Sequence, residues 1–420
     1  MTNNQARKLG DIIKDDIKNN RKTSVENLEL LQSYRQTYEK SLSAVFEDLS
    51  YISKRIRADR IVTYRIKRLE SIISKLRREP DRELDRMWDI GGCRCILHSQ
   101  AAVEKVYQDL KKKFNIRREK NYNEDKKYDG YSGIHLYVDE PGNGKVIEIQ
   151  LRTVKQHNWA TLVEIIDLVY NKKIKEGEKN TPFNDFHLIL SNIDSSSYDE
   201  RKKLIEIERE NKIFQTLFNI FLRNYLDVRK NWLELEAQKN HNFFTILVDK
   251  EAKPLIKSFE LIEDAQKDYF ETSINSDANI VLTHINEPSY KQISQAYSNY
   301  ILTTHQFLSD WHVILKEIIF YAHGHKLTKD FNLYTRLFNE YYSLETSSIQ
   351  QEIDTIKSKI EALKAKHQSV DTNKIQDWIT DLEQRIDFRS EIHKKIKKLN
   401  PILVKENESI ITVIKKLFKL

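Results

Sequence analysis

Glycine and proline are scarce in this 420-residue chain, nine and six in all. That favours long helices over an all-β fold. There are two cysteines. Cys93 and Cys95 stand two apart in one apolar, strand-like run, a spacing that cannot easily be bridged within an extended strand, so no disulfide framework exists. They lack the spaced cysteine or histidine partners that zinc requires, and read as core. No run of about 18 apolar residues occurs, and Met1–Gly10 is polar with no signal-like apolar segment, so a reducing cytoplasm and no membrane association are expected. Neither GxxxxGK[ST] nor GxGxxG is present, which excludes the P-loop and Rossmann fingerprints. Acids are outnumbered only mildly, 63 against 70 lysines and arginines, and a net charge of +7 is weak evidence for a polyanionic partner.

What is present is length, charge and one glycine-rich stretch. The length calls for two or three domains. Most of the glycines fall between Gly91 and Gly144, among three strand-like segments, Ile90–Leu97, Tyr131–Asp139 and Val146–Arg152. Each carries isolated charged or aromatic residues that a sheet does not need. The last two are joined by Glu140-Pro141-Gly142-Asn143-Gly144-Lys145, a hairpin composition. Helices are expected at Ala101–Phe114 and from Lys155 past Tyr170, and Asn115–Lys127 reads as charged and irregular. The implied fold class is α+β, a mixed sheet with helices on one face. The expected organisation is N-terminal helices in 1–52, the sheet domain in 53–172, and a helical connector in 173–240. A small second α/β unit follows in 241–315, with strands at Phe243–Val248 and Ile280–Ile285. A long all-helical C-terminal region, 316–420, closes as a hairpin.

Three groups of residues suggest chemistry. Between Ser53 and Arg78 an apolar stripe faces a basic one. Helical spacing puts Lys67, Ser71, Lys75 and Arg78 on one face with Arg65 close by, a cradle for a polyphosphate; a solvated helix face is the blander alternative. Asp89 begins one strand and Glu148 lies within another between Ile147 and Ile149. Two carboxylates converging across strands suit Mg²⁺, which takes few protein oxygens together with substrate phosphates; strand-end acids are the alternative. Tyr131, beside Gly130, can stack on a base if exposed, or simply pack in a turn. His323-Gly324-His325 reads as a turn.

Together these segments resemble the RelA/SpoT nucleotide pyrophosphokinase (alarmone synthetase) domain over about Ile56–Tyr170. The matching pieces are Arg65-x-Lys67-x-x-x-Ser71-x-x-x-Lys75-x-x-Arg78, Asp89-Ile-Gly-Gly-Cys-Arg94, Lys127-x-x-Gly130-Tyr131-x-x-Ile134-His135 and Glu148-Ile-Gln150-Leu-Arg152-Thr153. The resemblance implies a nucleotidyltransferase-like fold and transfer of the β,γ-pyrophosphate of ATP to a 3′-hydroxyl. Arg65, Lys67, Ser71, Lys75, Arg78 and Arg94 would hold the donor ATP. Asp89 and Glu148 would be the catalytic pair and the Mg²⁺ ligands, with Glu148 also the base. Lys127, Tyr131, His135, Gln150, Arg152 and His157 would line the acceptor side. The family's Gly-Tyr-Arg-Ser-Ile-His reads Gly130-Tyr131-Ser132-Gly133-Ile134-His135 here, so one basic acceptor-side residue is missing. The expected acceptor is GDP or GTP. The alternatives are the 3′-CCA end of tRNA in a growth-arresting toxin or phage-defence effector, an adenosine acceptor, and a non-catalytic nucleotide-binding scaffold. Only some fifty residues precede the basic segment and no His-Asp dipeptide occurs, so no hydrolase activity is expected. Such a synthetase needs control, which the C-terminal half would supply through autoinhibition, homo-oligomers or a neutralising partner such as an antitoxin.

Overall fold

The computed structural model describes every residue except 125–129, 141–143, 180, 237, 239, 277, 287, 366–371 and 400–420. It divides into two compact units, residues 1–194 with 223–305, and residues 195–222 with 306–420.

The first unit opens with three helices, α1 (Asn3–Lys18), α2 (Val25–Gln36) and α3 (Glu39–Ile56). Ser24 caps α2 by accepting from the Asn27 amide. The basic segment then departs from the expected single helix. Residues Ile61–Ile66 form a strand, β1, and only Leu69–Arg78 is helical, α4. The run Ile61-Val62-Thr63-Tyr64 is β-branched and aromatic, which suits a pleated, half-buried surface. Arg65 is therefore on a strand and Lys67 in the turn after it. Next come β2 (Gly91–Leu97), α5 (Gln100–Lys113), β3 (Asn115–Asn121), β4 (Ile134–Asp139), β5 (Val146–Thr153) and α6 (Val154–Val169). β3 lies where an irregular segment was expected. It is an edge strand, largely exposed and charged on both sides, so its sequence carries no apolar alternation. A helix α7 (Pro182–Ser191) follows.

The predicted long helix over 201–240 is two, α8 (Tyr198–Asn211) and α9 (Ile213–Glu236), broken where Lys212 takes a left-handed φ of 51°. Beyond them lie β6 (Phe243–Val248), β7 (Pro254–Phe259), α10 (Ile262–Asn275), β8 (Asn279–Ile285), α11 (Tyr290–Ala296) and α12 (Ser298–Ile301). These strands do not make a sheet of their own. β8 pairs antiparallel with β1, Tyr64 opposite His284, and the whole is one eight-stranded sheet of order β3-β4-β5-β2-β1-β8-β6-β7. Its β2–β5 pair is parallel and the other pairs are antiparallel, so the sheet is mixed. The α/β segment expected as a separate second unit is thus an extension of the first.

Strand alternation sorts the two faces. Ile147, Ile149 and Leu151 of β5, Leu136 and Val138 of β4, Cys93 and Cys95 of β2, and Leu282 of β8 share one apolar core with residues of α1, α2, α3, α5 and α10. Both cysteines are free thiols buried there. The opposite face carries Arg65, Arg94, His135, Glu148, Gln150 and Arg152, and α6, α11 and α12 pack against strands of the sheet. Helices therefore cover both faces rather than one.

The second unit is helical. Where one helix over Tyr290–Leu315 was expected, Leu302 turns left-handed (φ 47°) and α13 (Gln306–Gly324) starts afresh; His323-Gly324 ends that helix rather than forming a free turn. α14 (Thr328–Ala365) and α15 (Thr372–Lys397) make the expected hairpin, with Ile349, Ile353, Ile356, Trp378, Ile379 and Leu382 buried. No helix among the described residues is long and apolar enough to cross a membrane.

Candidate active site

The polar face is assembled around two carboxylates. Asp89 sits just before β2. Its Oδ2 accepts from Lys67 Nζ at 3.0 Å and from Lys75 Nζ at 2.9 Å. Its Oδ1 is buried with no hydrogen-bond partner. Burial works to raise the Asp89 pKa, and so does the negative charge of Glu148, but Lys67 and Lys75 prevail and hold it below the usual carboxylate range. Lys67 is itself pushed down, first by burial and then by Lys75 and Arg65, against the pull of Asp89. The backbone turn presenting Lys67 is pinned twice. Its amide donates to the Ile90 carbonyl at 2.7 Å, and its carbonyl accepts from Arg35 Nε at 2.7 Å. Arg35, fully buried on α2, had no motif to mark it.

Glu148 stands in β5 opposite Gly92 of β2 and Tyr137 of β4. Its Oε1 accepts from His135 Nδ1 at 2.9 Å and from the Tyr137 hydroxyl at 3.0 Å, and its Oε2 from Gln150 Nε2 at 2.8 Å. Burial opposes ionisation, yet His135, Gln150 and Lys67 keep the carboxyl well below the usual range. His135 Nε2 pairs with the Tyr131 hydroxyl, which accepts from Arg152 Nη2 at 2.7 Å. Arg152 also donates to Gln150 Oε1 at 3.0 Å. A hydrogen-bonded chain thus runs from Arg152 through Tyr131 and His135 to Glu148. Tyr137 belongs to this network and was missed, although its position two residues beyond His135 on one strand puts it on the same face.

Tyr131 is half-buried. Its ring meets Tyr122, His135 and Trp159 edge-on, and the Arg152 guanidinium lies 5.1 Å from its centroid. Gly133, next to it, has φ +145°, and a Cβ there would stand 3.2 Å from the Leu151 carbonyl and 3.3 Å from Arg152 Cγ. Gly133, which with Ser132 departs from the family pattern, leaves room for Arg152 to approach.

Arg94 is buried, and burial with the nearby Arg152 and Arg65 lowers its pKa to about 10. Arg65, Arg94 and Arg152 put three guanidiniums on this face, none in an ion pair with a carboxylate among the described residues, and such a cluster attracts anions. Arg94 Nη1 donates to the Ala296 carbonyl at 3.2 Å, and Nε is buried without a partner. His157 Nε2 donates to the adjacent Gln295 carbonyl at 2.9 Å, and burial first, then Arg94 and Arg152, hold it neutral. Ser71 accepts from Arg68 Nε at 3.2 Å. Arg78 is exposed in the last turn of α4, and no hydrogen bond or ion pair among the described residues ties it to the cluster. Lys127 lies outside the described residues. The structure therefore brings together Arg65, Lys67, Lys75, Asp89, Arg94, His135, Glu148, Gln150 and Arg152, with Tyr131 at their edge.

No three histidine, cysteine or carboxylate side chains among the described residues converge as a metal cage. Asp89 with its bare oxygen, near Glu148, instead fits a hard divalent cation held by one or two carboxylates together with substrate phosphates.

A family model described as "Region found in RelA / SpoT proteins" matches residues 64–175. The chain contains a RelA/SpoT synthetase domain. The chain is 33% identical over 128 residues to the GTP pyrophosphokinase YjbM of Bacillus subtilis, a match covering 28% of this chain and 61% of the relative. It is 32% identical over 111 residues to YwaC of the same organism, covering 23% and 53%. The uncharacterized protein Rv1366 of Mycobacterium tuberculosis is 30% identical over 124 residues, covering 28% and 44%. The chain thus spans between 44% and 61% of the length of these curated relatives. Among solved structures, the small alarmone synthetase 1 of Bacillus subtilis bound to its product pppGpp aligns at TM-score 0.35 and 24% identity, covering 43% of this chain and 98% of that one. The small alarmone synthetase 2 of Bacillus subtilis aligns at TM-score 0.33 and 27% identity, covering 43% and 98%.

Proposed function

We propose that this protein is a Mg²⁺-dependent pyrophosphokinase that moves the β,γ-pyrophosphate of ATP to the 3′-hydroxyl of a guanine nucleotide, GDP or GTP. One observation carries the reading. Asp89 takes both lysines of the cradle on one oxygen and keeps the other bare and buried. A charge arranged in this way suits a ligand bringing phosphates for the lysines and a cation for the carboxylate.

Asp89 and Glu148 would hold Mg²⁺, which would supply charge neutralisation on the transferring phosphates. Lys67, Lys75, Ser71, Arg65 and Arg94 bind and orient the donor chain, and positioning with charge neutralisation is most of what such transfer requires. The acceptor oxygen forms a bond to the β-phosphorus as the bridge to the α-phosphate breaks, and AMP leaves with the bridging oxygen. Glu148, ionised at neutral pH, takes the hydroxyl proton, while His135, Tyr137 and Gln150 keep its oxygens in place. Tyr131, Arg152 and Gln150 face the acceptor.

The test is transfer from γ-³²P-ATP to GDP, GTP, ATP and deacylated tRNA in turn. Label in a guanosine tetra- or pentaphosphate, absent with Glu148→Gln, is the expected result. Label on tRNA or on ATP alone would overturn the acceptor, and no transfer to any of them would overturn the activity.

A further inference from the structure

Two buried side chains from distant parts of the first unit meet beside the turn that carries Lys67. The Arg35 guanidinium of α2 lies over the ring of Tyr269 on α10, 4.3 Å from its centroid. Each residue is 1% exposed. From that contact each reaches one side of Arg68. Arg35 Nε donates to the Lys67 carbonyl at 2.7 Å, and the Tyr269 hydroxyl accepts from the Leu69 amide at 3.1 Å. Neither residue lies in the matched 64–175 stretch.

Both bonds meet a need of the backbone. Leu69 opens α4, and Arg68, its N-cap residue, makes no side-chain cap hydrogen bond. The first amides of a helix find no partner within it. Tyr269 therefore caps α4 from another element, 200 residues away in the chain. The Lys67 carbonyl lies between β1 and α4, outside the ladder of the strand, and takes its donor from α2.

Stability alone does not account for an arginine at position 35. It makes no ion pair with a carboxylate among the described residues, and its other side-chain partner is Gln32 Oε1. The face of Tyr269 offsets only part of the cost of burying the charge. Replacing a buried charge by an apolar residue of similar volume is often neutral or stabilising. An apolar residue cannot donate to the Lys67 carbonyl, however, and phenylalanine cannot accept from the Leu69 amide.

The consequence falls on the two lysines. Lys67 belongs to the pinned turn and Lys75 to α4, and their Nζ atoms reach the same oxygen, Asp89 Oδ2, at 3.0 and 2.9 Å. They converge on one anion only while turn and helix keep their relative placement. A misplacement of about 1 Å caused far from the chemistry can cost roughly 100-fold.

We propose that Arg35 and Tyr269 are positioning residues for the donor polyphosphate. In contact with each other, they hold the Lys67–Leu69 turn so that Lys67 and Lys75 converge. The proposal rests on the reading of these lysines as the donor cradle. It makes α2 and α10, both outside the family match, part of the machinery that shapes the cradle.

The test is a set of double-mutant cycles read by equilibrium binding of ATP with Mg²⁺, without acceptor, by calorimetry on the full chain. Arg35→Met, apolar and of similar length, weakens ATP roughly 10-fold, within the range for residues coupled through one network. In a Lys67→Ala background the same change has no further effect. Arg35→Lys, which keeps a donor for the Lys67 carbonyl but not the planar fork, recovers part of the loss. Tyr269→Phe keeps the ring beside the guanidinium and removes only the cap. It weakens ATP by roughly 3- to 10-fold, the worth of one hydrogen bond, and that loss vanishes in Lys75→Ala. This variant keeps the proposal testable if Arg35→Met does not fold. Losses as large in the lysine-to-alanine backgrounds as in wild type, or ATP affinities unchanged in both folded variants, would overturn the proposal and leave the cradle standing. Wild type that binds no ATP, or Lys67→Ala and Lys75→Ala that bind it as wild type does, would sink the cradle and the proposal with it. The expected binding pattern without transfer would sink the activity alone.

Discussion

Arg94 in β2 donates to the carbonyl of Ala296, 202 residues further along the chain. The next carbonyl back, of Gln295, takes His157, and Asn299 takes Glu164. Three side chains of the RelA/SpoT domain are thus held by one short segment that the family match does not include. The same segment follows β8, which pairs with β1 and so abuts Arg65. Residues 295–299 are structurally part of the site face, which is built from both ends of the first unit.

Asp89→Asn separates the metal role of this carboxylate from its pairing with lysine. The amide cannot neutralise Lys67 and Lys75, so the two cations become free for phosphate. ATP binding in EDTA should tighten relative to wild type, whereas Mg²⁺ should no longer strengthen it. Transfer should fall by at least about 100-fold, since losing a cation's stabilisation of the transferring phosphates costs several kcal/mol. Calorimetry with and without Mg²⁺ checks this. Weaker binding in EDTA would show that Asp89 serves the lysines only as a structural partner.

Glu148 has its pKa depressed well below the usual carboxylate range in the folded protein. A carboxyl of that kind stabilises the fold above its unfolded pKa, and the contribution is lost as pH falls from there through the folded value. Glu148→Gln removes it. The melting temperature of wild type should therefore exceed that of Glu148→Gln by most at neutral pH, and the gap should narrow below about pH 4.5 as the unfolded carboxyl protonates. Thermal melts of both proteins from pH 3 to 7 measure the gap. A gap that widens in acid would contradict the network around this residue.

Much of this site was legible because strands alternate. Glu148, Gln150 and Arg152 share a face by counting in twos, and so do His135 and the overlooked Tyr137. The acids stood out because each interrupts an apolar run. The basic segment misled because Lys67, Ser71, Lys75 and Arg78 also satisfy helical spacing; the β-branched run ahead of them, Ile61 to Tyr64, was the contrary signal. The contacts of Arg35 and of Gln295 and Ala296 were not legible for a different reason. They run between a side chain and a backbone carbonyl across long sequence separations, and no local pattern marks such contacts. The charged edge strand β3 lacked alternation because neither of its faces is fully buried.

Gly133 is the point where the loop carrying Tyr131 meets Arg152. At φ +145° an alanine is strained, and its Cβ would press on the Leu151 carbonyl and Arg152 Cγ. Gly133→Ala should cost about 1–3 kcal/mol of stability in urea denaturation. It should also raise KM for the acceptor more than for ATP, because the displaced arginine belongs to the Tyr131–His135–Glu148 chain. Equal effects on both substrates would place Arg152 elsewhere in the reaction.

The helical unit hangs on a buried charge cluster. Arg389 of α15 donates from Nε and Nη2 to the two oxygens of Glu345 of α14, each at 2.7 Å, and His312 Nε2 of α13 lies 2.9 Å from Oε2. Glu345 is fully buried; burial opposes its ionisation, and His312 and Arg389 together hold its pKa below the usual value. Arg389→Ala leaves that carboxylate without its forked partner in a site water does not reach. A buried pair broken on one side costs about 3–5 kcal/mol. The unfolding transition of the helical unit should shift down accordingly in calorimetry. The double variant Arg389→Met with Glu345→Leu should recover most of the loss, because it removes the stranded charge as well as the pair. If the single variant melts like wild type, the three helices are held by their apolar seam alone.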